Sequence, residues 1–398
     1  MEYRFSPFIE QVKSSVTRDI LKLTQGKGKS IISFAGGMPA EELFPLEAIR
    51  DAAASVFTRG RSTLQYGLTE GYTPLREQLA ERMTAKGMHT EVESVLLTTG
   101  SQQAIELAAR VLTEPGDVVL VENPTYLAGL QIFGMQGLRV VSVPSDEDGM
   151  RLEEAERLVK LHKPRLVYVV PTFGNPTGRV WSQERREGLL ALCRRYEIPV
   201  IEDDPYGEIK FEPAADYPSI YALAGAAGGV LYTSSFSKIV APALRAGWAA
   251  GDKPLIAMMA KAKQSADLHS SSLDQQLLSE LLLQFDLERH IRGVAAAYLD
   301  RMNEMQELLR THCPAGVSWT APKGGMFLWL TLPEGLDAEV LLRAAIAKGV
   351  AFVPGVAFYA EEPERNTARL SFTLNTGERM AQGIRLFAEA IEEFTARS

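Results

Sequence analysis

The chain contains 398 residues, more than one hydrophobic core usually accommodates, so we expect two packed domains. Hydrophobic residues make up 46% of the chain and charged residues 23%, which is ordinary globular usage and excludes a disordered or fibrous protein. The 42 Lys and Arg are outnumbered by 50 Asp and Glu, and the net charge of -8 argues against a non-specific nucleic-acid or anionic-membrane surface.

The cysteines and the N-terminus bear on the cellular compartment. Cys193 and Cys313 lie far apart, and neither belongs to a CxxC or Cys/His ligand pattern, so neither a disulfide framework nor a zinc site is expected. The N-terminal segment MEYRFSPFIEQVKSS lacks the apolar core of a signal peptide, and no apolar run approaches the roughly 18 residues of a membrane span. We therefore expect a cytoplasmic protein without a metal site.

Short apolar runs rich in β-branched residues alternate with helical patterns between about residue 95 and residue 250. The helical patterns include SQQAIELAARVL and QERREGLLALCRRY, in which apolar residues recur at helical spacing. Such alternation predicts an α/β domain with a mostly parallel sheet. The predicted strands are DVVLVEN, LRVVSV, RLVYVV, IPVIED, GVLYTS and AGWAAG.

The pattern changes after about residue 254, where a long helical stretch runs to about residue 311. Strand candidates (VSWTA, GMFLWL and ARLSFT) then mix with helical patterns (DAEVLLRAAIAK and ERMAQGIRLFAEAIEEF), which indicates a smaller α+β C-terminal domain. At the other end, residues 1 to about 45 contain one predicted helix and then IISFAGGMPAEELFP. The glycines and prolines of that segment indicate an ordered turn or an extended crossing.

A lysine, Lys238, follows a predicted strand in LYTSSFSKIVAPALRAGW, with Ser235 and Ser237 before it and Arg245 after it. Open α/β sheets bind ligands at the carboxyl ends of their strands, so this lysine is expected in a crevice. Burial and nearby cations would lower its pKa from about 10.4 and make it nucleophilic. Hydroxyls and a guanidinium suit a phosphate. A solvated lysine in a loop is the alternative.

Two adjacent carboxylates, Asp203 and Asp204, end an otherwise apolar predicted strand in IEDDPYGEI, and Tyr206 follows in a turn that contains proline. A carboxylate at the end of a buried strand is costly unless it meets a cation. The protonated pyridine nitrogen of pyridoxal 5′-phosphate (PLP) is one such cation. Composition does not distinguish the two carboxylates, and Asp204 could instead cap a turn.

Two further segments adjoin predicted strands. PTFGNPTGRV follows RLVYVV and places Asn175 in a turn fixed by a proline and a glycine, a pattern that by itself indicates only a turn. In TTGSQQAIELAARVL a short strand leads into a helix that starts near Gly100, Ser101 and Gln102. Free backbone N–H groups and the helix dipole favour a phosphate there, and simple capping by Ser101 is the alternative.

In chain order these segments are a helix N-terminus, an Asn turn, a strand-end Asp with a Tyr, and a Lys with a trailing Arg. With this order and spacing the sequence resembles the fold-type I PLP-dependent aminotransferases of class I/II, and more narrowly the bacterial 2-aminoadipate and kynurenine aminotransferase group. The resemblance runs through DILKLTQ, ISFAGGMP, LQYGLTEGYTPLRE, GSQQA, ENPTY, PTFGNPTG, EDDPY, SSFSK and ARLSF. It implies a large PLP-binding domain with a mostly parallel sheet over 46–290, a smaller α+β domain over 291–398, and an N-terminal segment over 1–45 that packs with the small domain and covers the substrate.

The resemblance also implies roles for individual residues. Lys238 would form the Schiff base to PLP, Asp203 would keep the pyridine nitrogen protonated, and with Tyr206 they would be the catalytic residues. Tyr66 would reach the phosphate in the neighbouring subunit, which implies a homodimer with shared active sites. The other implied cofactor contacts are Tyr126 on the ring face, Asn175 and Tyr206 at the ring hydroxyl, and Ser101, Gln102, Ser235, Ser237 and Arg245 at the phosphate.

Substrate contacts are implied as well. Arg369, in TARLSFT, would clamp the substrate α-carboxylate beside Asn175, with a surface arginine at a strand edge as the alternative. Gly36 and Gly37 would let the N-terminal segment close over the substrate. Arg18 would bind the distal acid group of dicarboxylic substrates, or it would be an exposed helix arginine.

Three functions are compatible with these residues. The first is an aminotransferase that moves the amino group of a 2-aminoadipate-like, aromatic or aliphatic α-amino acid to a 2-oxo acid such as 2-oxoglutarate. The second is a PLP-dependent β-lyase or racemase, because the geometry of the pocket decides which bond breaks. The third, a non-enzymatic effector domain similar to those of MocR-type regulators, is disfavoured because too few residues precede ISFAGG for a winged-helix domain.

Overall fold

The computed structural model describes residues 3–11, 20 and 31–395 of the chain. Its strands are β1 (Ile32–Ser33), β2 (Val95–Thr98), β3 (Val118–Asn123), β4 (Arg139–Asp146), β5 (Gly149–Met150), β6 (Leu166–Val169), β7 (Val200–Asp203), β8 (Val230–Ser235), β9 (Gly247–Ala250), β10 (Ser318–Trp319), β11 (Phe327–Thr331), β12 (Val350–Ala351), β13 (Val353–Pro354) and β14 (Thr367–Ser371). Its α-helices run over Pro7–Gln11, Leu46–Thr58, Thr73–Ala85, Ser101–Leu112, Leu127–Met135, Leu152–His162, Gln183–Arg195, Ile220–Ala224, Lys253–Ala266, Ser272–Gln284, Leu287–His312, Ala338–Lys348 and Gly377–Thr395. None of the helices that the structure describes is long and apolar enough to cross a membrane.

An eight-stranded sheet with the order β2-β9-β8-β7-β6-β3-β4-β5 forms the larger part of the fold. The neighbours from β8 through β7, β6 and β3 to β4 are parallel. Strand β9 is antiparallel to both β2 and β8, and β5 is antiparallel to β4. The six predicted strands are present as β3, β4, β6, β7, β8 and β9. The prediction of a mostly parallel α/β sheet is confirmed.

Buried side chains cover both faces of this sheet, which explains why its strands read as nearly continuous apolar runs. Successive side chains of a strand point to opposite faces. Along β6, Val167 and Val169 belong to a core cluster with Leu189 of one helical layer. Leu166 and Tyr168 belong to a second cluster on the other face. Polar side chains therefore collect where the strands end.

A second, antiparallel sheet has the order β10-β11-β14-β13 and lies in the C-terminal part of the chain. It confirms the predicted mixture of strands and helices after about residue 311. Strand β1 pairs in parallel with β12, with Ile32 opposite Val350, and the backbone N–H of Ser371 donates to the carbonyl oxygen of Phe34 at 2.8 Å. The segment that follows β1 is thereby attached to the C-terminal part of the chain.

Candidate active site

A cavity of about 420 Å³ opens at the carboxyl ends of β7 and β8, where an open α/β sheet is expected to bind ligands. Residues of both sheets line it. The residues predicted for the site that line this cavity are Gly37, Ser101, Gln102, Tyr126, Asn175, Asp203, Tyr206, Ser235, Ser237, Lys238, Arg245 and Arg369. The fold thus brings together segments that are distant in sequence.

Lys238 lies in this cavity rather than in a solvated loop. Its Nζ donates to the carbonyl oxygen of Gly37 at 2.7 Å. Burial, together with the positive charges of Arg369 and Arg245, lowers the pKa of Lys238 from 10.5 to about 8. A substantial fraction of the amine is therefore neutral near physiological pH, which a nucleophile or a general base requires.

Asp203 is the last residue of β7 and is 2% exposed. Its Oδ2 accepts a hydrogen bond from the hydroxyl of Tyr168 at 2.8 Å. Its Oδ1 is buried, and no group in the described part of the chain donates to it. Burial raises the pKa of Asp203 from 3.8 to about 7. A cation beside Oδ1 would relieve this cost.

Asp204 faces away from this cavity. Its Oδ1 accepts from the backbone N–H of Gly207 at 2.8 Å, and its Oδ2 accepts from the hydroxyl of Tyr232 at 3.1 Å. It lines a separate cavity of about 360 Å³ instead. The geometry separates the two carboxylates that composition could not distinguish, and the alternative of a turn cap fits Asp204.

The N-terminus of the helix Ser101–Leu112 forms one end of the cavity. Gly100 precedes it with a φ of 82°, and no side chain of the described residues caps it, so capping by Ser101 is not observed. A Cβ atom on Gly100 would lie 2.8 Å from Nη2 of Arg245, so glycine permits this approach. The hydroxyl of Ser235 donates to that of Ser237 at 2.8 Å. Backbone N–H groups, a guanidinium and hydroxyls together suit an anion.

Arg369 is buried within β14, with 3% exposure, so it is not a surface arginine. Its Nη1 donates to Oδ1 of Asn175 at 2.7 Å, and its Nη2 donates to the carbonyl oxygen of Ala35 at 2.6 Å. Its Cζ lies 4.3 Å from the ring centroid of Phe327 and 5.0 Å from that of Phe358. Burial lowers the pKa of Arg369 to about 10, which leaves it cationic at neutral pH.

Asn175 also influences a second predicted residue, because its side chain opposes the rise that burial causes in the pKa of Tyr206. Tyr206 is 5% exposed, and burial raises its pKa above the usual range of tyrosine. Tyr126 immediately precedes the helix Leu127–Met135 and lines the same cavity. Asn175 and Tyr206 line that cavity too.

Known proteins of one family are similar to this chain in sequence and in fold. The sequence profile of the family described as aminotransferase class I and II matches residues 29–384. The chain belongs to this family. It is a PLP-dependent aminotransferase with the fold-type I architecture, as the resemblance implied, and the fold, the enzyme class and the cofactor predicted from the sequence are confirmed.

Three relatives are similar to the chain over nearly their full lengths. An aromatic-amino-acid aminotransferase of Thermococcus litoralis is 40% identical over 399 residues, covering 98% of this chain and 95% of the relative. The structure of LysN, an α-aminoadipate aminotransferase of Thermus thermophilus solved with N-(5′-phosphopyridoxyl)-L-leucine, matches with a TM-score of 0.92 and 39% identity, covering 99% of this chain and 98% of LysN. A kynurenine aminotransferase of Pyrococcus horikoshii matches with a TM-score of 0.91 and 41% identity, covering 98% and 97%.

One predicted site residue, Tyr66, lies outside this cavity, and another, Arg18, is not described. Tyr66 is 78% exposed and contacts His269 edge-on, with ring centroids 5.6 Å apart. It does not belong to the lining of the cavity in its own chain. Arg18 lies outside the described residues. Among the residues that are described, no group of His, Cys, Asp and Glu is arranged to hold a metal ion.

Sequence reasoning missed several residues of the aminotransferase site. Phe327, Phe358 and Met38 line the cavity, and Tyr168 bonds to Asp203. Tyr168 could have been found, because a phenol inside the apolar run RLVYVV needs a polar partner when it is buried. The two phenylalanines cannot be distinguished from core aromatic residues by sequence alone.

Proposed function

We propose that this aminotransferase binds PLP in the cavity of about 420 Å³ and there moves the amino group of an α-amino acid to a 2-oxo acid. The observation that carries the proposal is the presence in one cavity of the Lys238 amine, the unpartnered Oδ1 of Asp203 and the buried guanidinium of Arg369. When bound, PLP supplies an electron sink for the bond that breaks at the substrate α-carbon.

The residues present fit this cofactor. Oδ1 of Asp203, which accepts no hydrogen bond from the described residues, suits a protonated pyridine nitrogen. The cradle between Gly100 and Arg245 suits a phosphate. The remaining contacts that we propose are Tyr126 on the ring face, Asn175 and Tyr206 at the ring hydroxyl, and Ser101, Gln102, Ser235 and Ser237 at the phosphate.

The chemistry of the chain's own residues follows from their surroundings. Lys238 would be the covalent attachment point of PLP, and its free Nζ would act as the base at the substrate α-carbon and as the acid in the return transfer. Arg369 binds the α-carboxylate through its planar fork, which orients the α-hydrogen towards Lys238. Asp203 contributes the negative charge that favours a protonated pyridine.

We infer that the amino donors are aromatic, aliphatic or 2-aminoadipate-like, and that 2-oxoglutarate serves as an acceptor. The relatives act on aromatic amino acids, α-aminoadipate and kynurenine, and LysN was solved with a leucine adduct. The cavity offers both apolar surface at Leu127 and Met38 and a polar side chain at Gln131. Arg18 would bind a distal carboxylate. Arg18→Gln should then lower the ratio of 2-aminoadipate to leucine activity, and an unchanged ratio would refute that role.

We propose that the enzyme is a homodimer in which Tyr66 reaches the phosphate of the partner's site. Tyr66 is exposed and is not part of the cavity of its own chain, as a contribution to a partner requires. Leu64 and Leu68 beside it are 68% and 58% exposed. Large apolar side chains exposed together are typical of an interaction surface.

The cytoplasm is the compartment that we propose, with neither nucleic acid nor membrane as a partner. Cys193 and Cys313 are both free thiols, which agrees with a reducing compartment. The net charge of -8 disfavours non-specific attraction to polyanionic surfaces.

The experiment is an absorbance spectrum of the purified holoenzyme before and after single amino acids are added without a 2-oxo acid. Transamination predicts that the band of the lysine-bound cofactor gives way to that of pyridoxamine 5′-phosphate, with release of a 2-oxo acid. Pyruvate and ammonia would indicate the alternative β-lyase, and inversion of the amino acid would indicate a racemase. If PLP produced no band, the cofactor site proposed here would be wrong.

A further inference from the structure

The two oxygens of Asp203 have different surroundings, since Oδ2 accepts a hydrogen bond and Oδ1 has no described partner. We propose that Tyr168 is a positioning residue of the active site, whose hydroxyl holds Oδ2 of Asp203 and so reserves Oδ1 for the pyridine nitrogen of PLP. The inference rests on the proposed function, which assigns that nitrogen to Asp203.

The contact follows from the register of the sheet. Tyr168 of β6 is opposite Ile201 of the parallel strand β7, and Asp203 lies two residues further along β7. Because side chains alternate between faces, Ile201 and Asp203 share one face with Tyr168, and Tyr168 reaches Asp203 diagonally. The oxygens are 2.8 Å apart, and the two residues are 0% and 2% exposed. Water therefore does not compete for this bond.

The ring of Tyr168 is held in place by the helix Leu127–Met135. A Cβ atom on Gly129 would lie 3.1 Å from Cε1 of Tyr168, so the helix backbone lies directly against the ring because position 129 has no side chain. Phe133, one turn further on, meets the ring edge-on, with centroids 5.4 Å apart and an interplanar angle of 71°. The enclosed ring is therefore held in one orientation, with its hydroxyl beside Oδ2 of Asp203.

The hydrogen bond from Tyr168 also favours the ionised form of Asp203, which pairs with a protonated pyridine nitrogen. Burial raises the pKa of this carboxyl group to about 7, and the hydrogen bond from Tyr168 opposes that rise. Burial raises the pKa of Tyr168 itself well above 10, so the phenol stays protonated and can act as the donor. Removing the hydroxyl would leave Oδ2 without this partner and would favour the neutral acid, which pairs less well with a protonated pyridine.

Tyr168→Phe tests the proposal when the binding of two cofactors to the apoenzyme is compared. PLP carries the ring nitrogen, and 1-deazapyridoxal 5′-phosphate has a carbon in its place. We expect the Kd of PLP to rise about tenfold, which corresponds to about 1.4 kcal/mol, while the Kd of the analogue stays unchanged. Tyr232→Phe is the matched control, because it removes a similar bond to Asp204, at 3.1 Å, and should alter neither Kd.

Each other outcome has a defined meaning. Equal weakening of both cofactors would show that Tyr168 only supports the fold, and no weakening of either would also overturn the proposal. If Tyr168→Phe does not fold, Gly129→Ala takes its place, since a methyl group there would displace the ring, and the same selective loss is expected. If the wild-type enzyme does not prefer PLP to the analogue, the assignment of the nitrogen to Asp203 fails instead.

Discussion

The guanidinium of Arg369 donates to Oδ1 of Asn175 at 2.7 Å, although 194 residues separate them in sequence. Arg369 belongs to the antiparallel sheet, whereas Asn175 follows β6 of the large sheet. The same Asn175 side chain also opposes the rise that burial causes in the pKa of Tyr206. Asn175 thus lies between Arg369, which we propose binds the substrate, and Tyr206, which we propose binds the cofactor. Displacement of either sheet would therefore disturb the binding of both substrate and cofactor.

Arg369→Lys should lower kcat/KM for both amino acid and 2-oxo acid by about a hundredfold, which corresponds to about 2.7 kcal/mol. Lysine keeps the charge but cannot present two parallel donors to a carboxylate. The absorbance band of the lysine-bound cofactor should be unchanged. Arg365→Lys is the control, since that side chain is 58% exposed and pairs with Asp337. Equal losses in the two variants would contradict the assigned role.

The rate at which PLP attaches to the apoenzyme should depend on pH through Lys238. Its pKa is lowered to about 8 by burial and by two arginines, and only the neutral amine attacks the aldehyde. The second-order rate constant should therefore fall about tenfold for each pH unit below 8 and level off above it. Stopped-flow absorbance measures this rate, and Nα-acetyl-lysine amide in place of the enzyme corrects for the titration of PLP. Half-maximal attachment near pH 10 would contradict the prediction.

Asp203→Asn should stabilise the apoprotein while it weakens PLP binding. In the folded chain the pKa of Asp203 is raised to about 7, against about 3.9 in the unfolded chain, so between these values the folded state binds the extra proton. The contribution of Asp203 to the free energy of unfolding therefore falls as the pH rises from about 3.9 to about 7. Asparagine does not ionise, so the variant does not lose this stability.

The apoprotein of Asp203→Asn should unfold a few degrees above the wild type at about pH 8 and at the same temperature at about pH 4. Thermal unfolding followed by circular dichroism measures this difference, and Asp51→Asn on an exposed helix position controls for the added amide. PLP should raise the unfolding temperature of the wild type more than that of the variant. A variant less stable than the wild type at about pH 8 would refute the argument.

Much of the fold and of the site could be predicted because of one physical rule. Parallel strands covered on both faces are continuous apolar runs, so β6, β7 and β8 stand out in the sequence. The carboxyl ends of such strands meet at one edge, which agrees with the resemblance that assigns Asn175, Asp203 and Lys238 to one cofactor site. The structure brings all three to the same cavity.

Other features depend on three-dimensional detail. Whether Asp203 or Asp204 faces the cavity is decided by the pleat of β7, whose register with β6 the sequence does not reveal. The bond between Arg369 and Asn175 depends on how the antiparallel sheet sits against the large one. Aromatic residues such as Phe327 have the same sequence pattern whether they fill a core or line a site.

Lys263→Met should lower the free energy of unfolding by about 2–3 kcal/mol. The side chain of Lys263 is fully buried, and its Nζ donates to Gln103 at 3.0 Å, to Asp267 at 2.7 Å and to Ser270 at 2.9 Å. Methionine fills the space but leaves these acceptors without their donor. Urea unfolding of the holoenzyme measures the loss. Lys261→Met, at an exposed position of the same helix, is the control, and equal midpoints would contradict the prediction.

Mixed dimers test whether Tyr66 serves the partner's site. Tyr66→Ala should raise the Kd of PLP about tenfold, because a phosphate contact is lost, and Lys238→Ala should have no turnover because it lacks the attachment point and the base. In a dimer of one Tyr66→Ala chain and one Lys238→Ala chain, a shared arrangement gives one site with both residues intact. The other site lacks both.

Co-expressed and separately tagged chains should therefore give a hybrid that binds PLP with wild-type affinity at one site and has about half of the wild-type activity per dimer. If Tyr66 served its own subunit, the hybrid would contain one site without Lys238 and one without Tyr66, and wild-type affinity would not reappear. The unmixed variants at equal total concentration are the controls. Recovery of affinity can come only from a tyrosine that crosses the interface, which is the role that we propose for the exposed Tyr66.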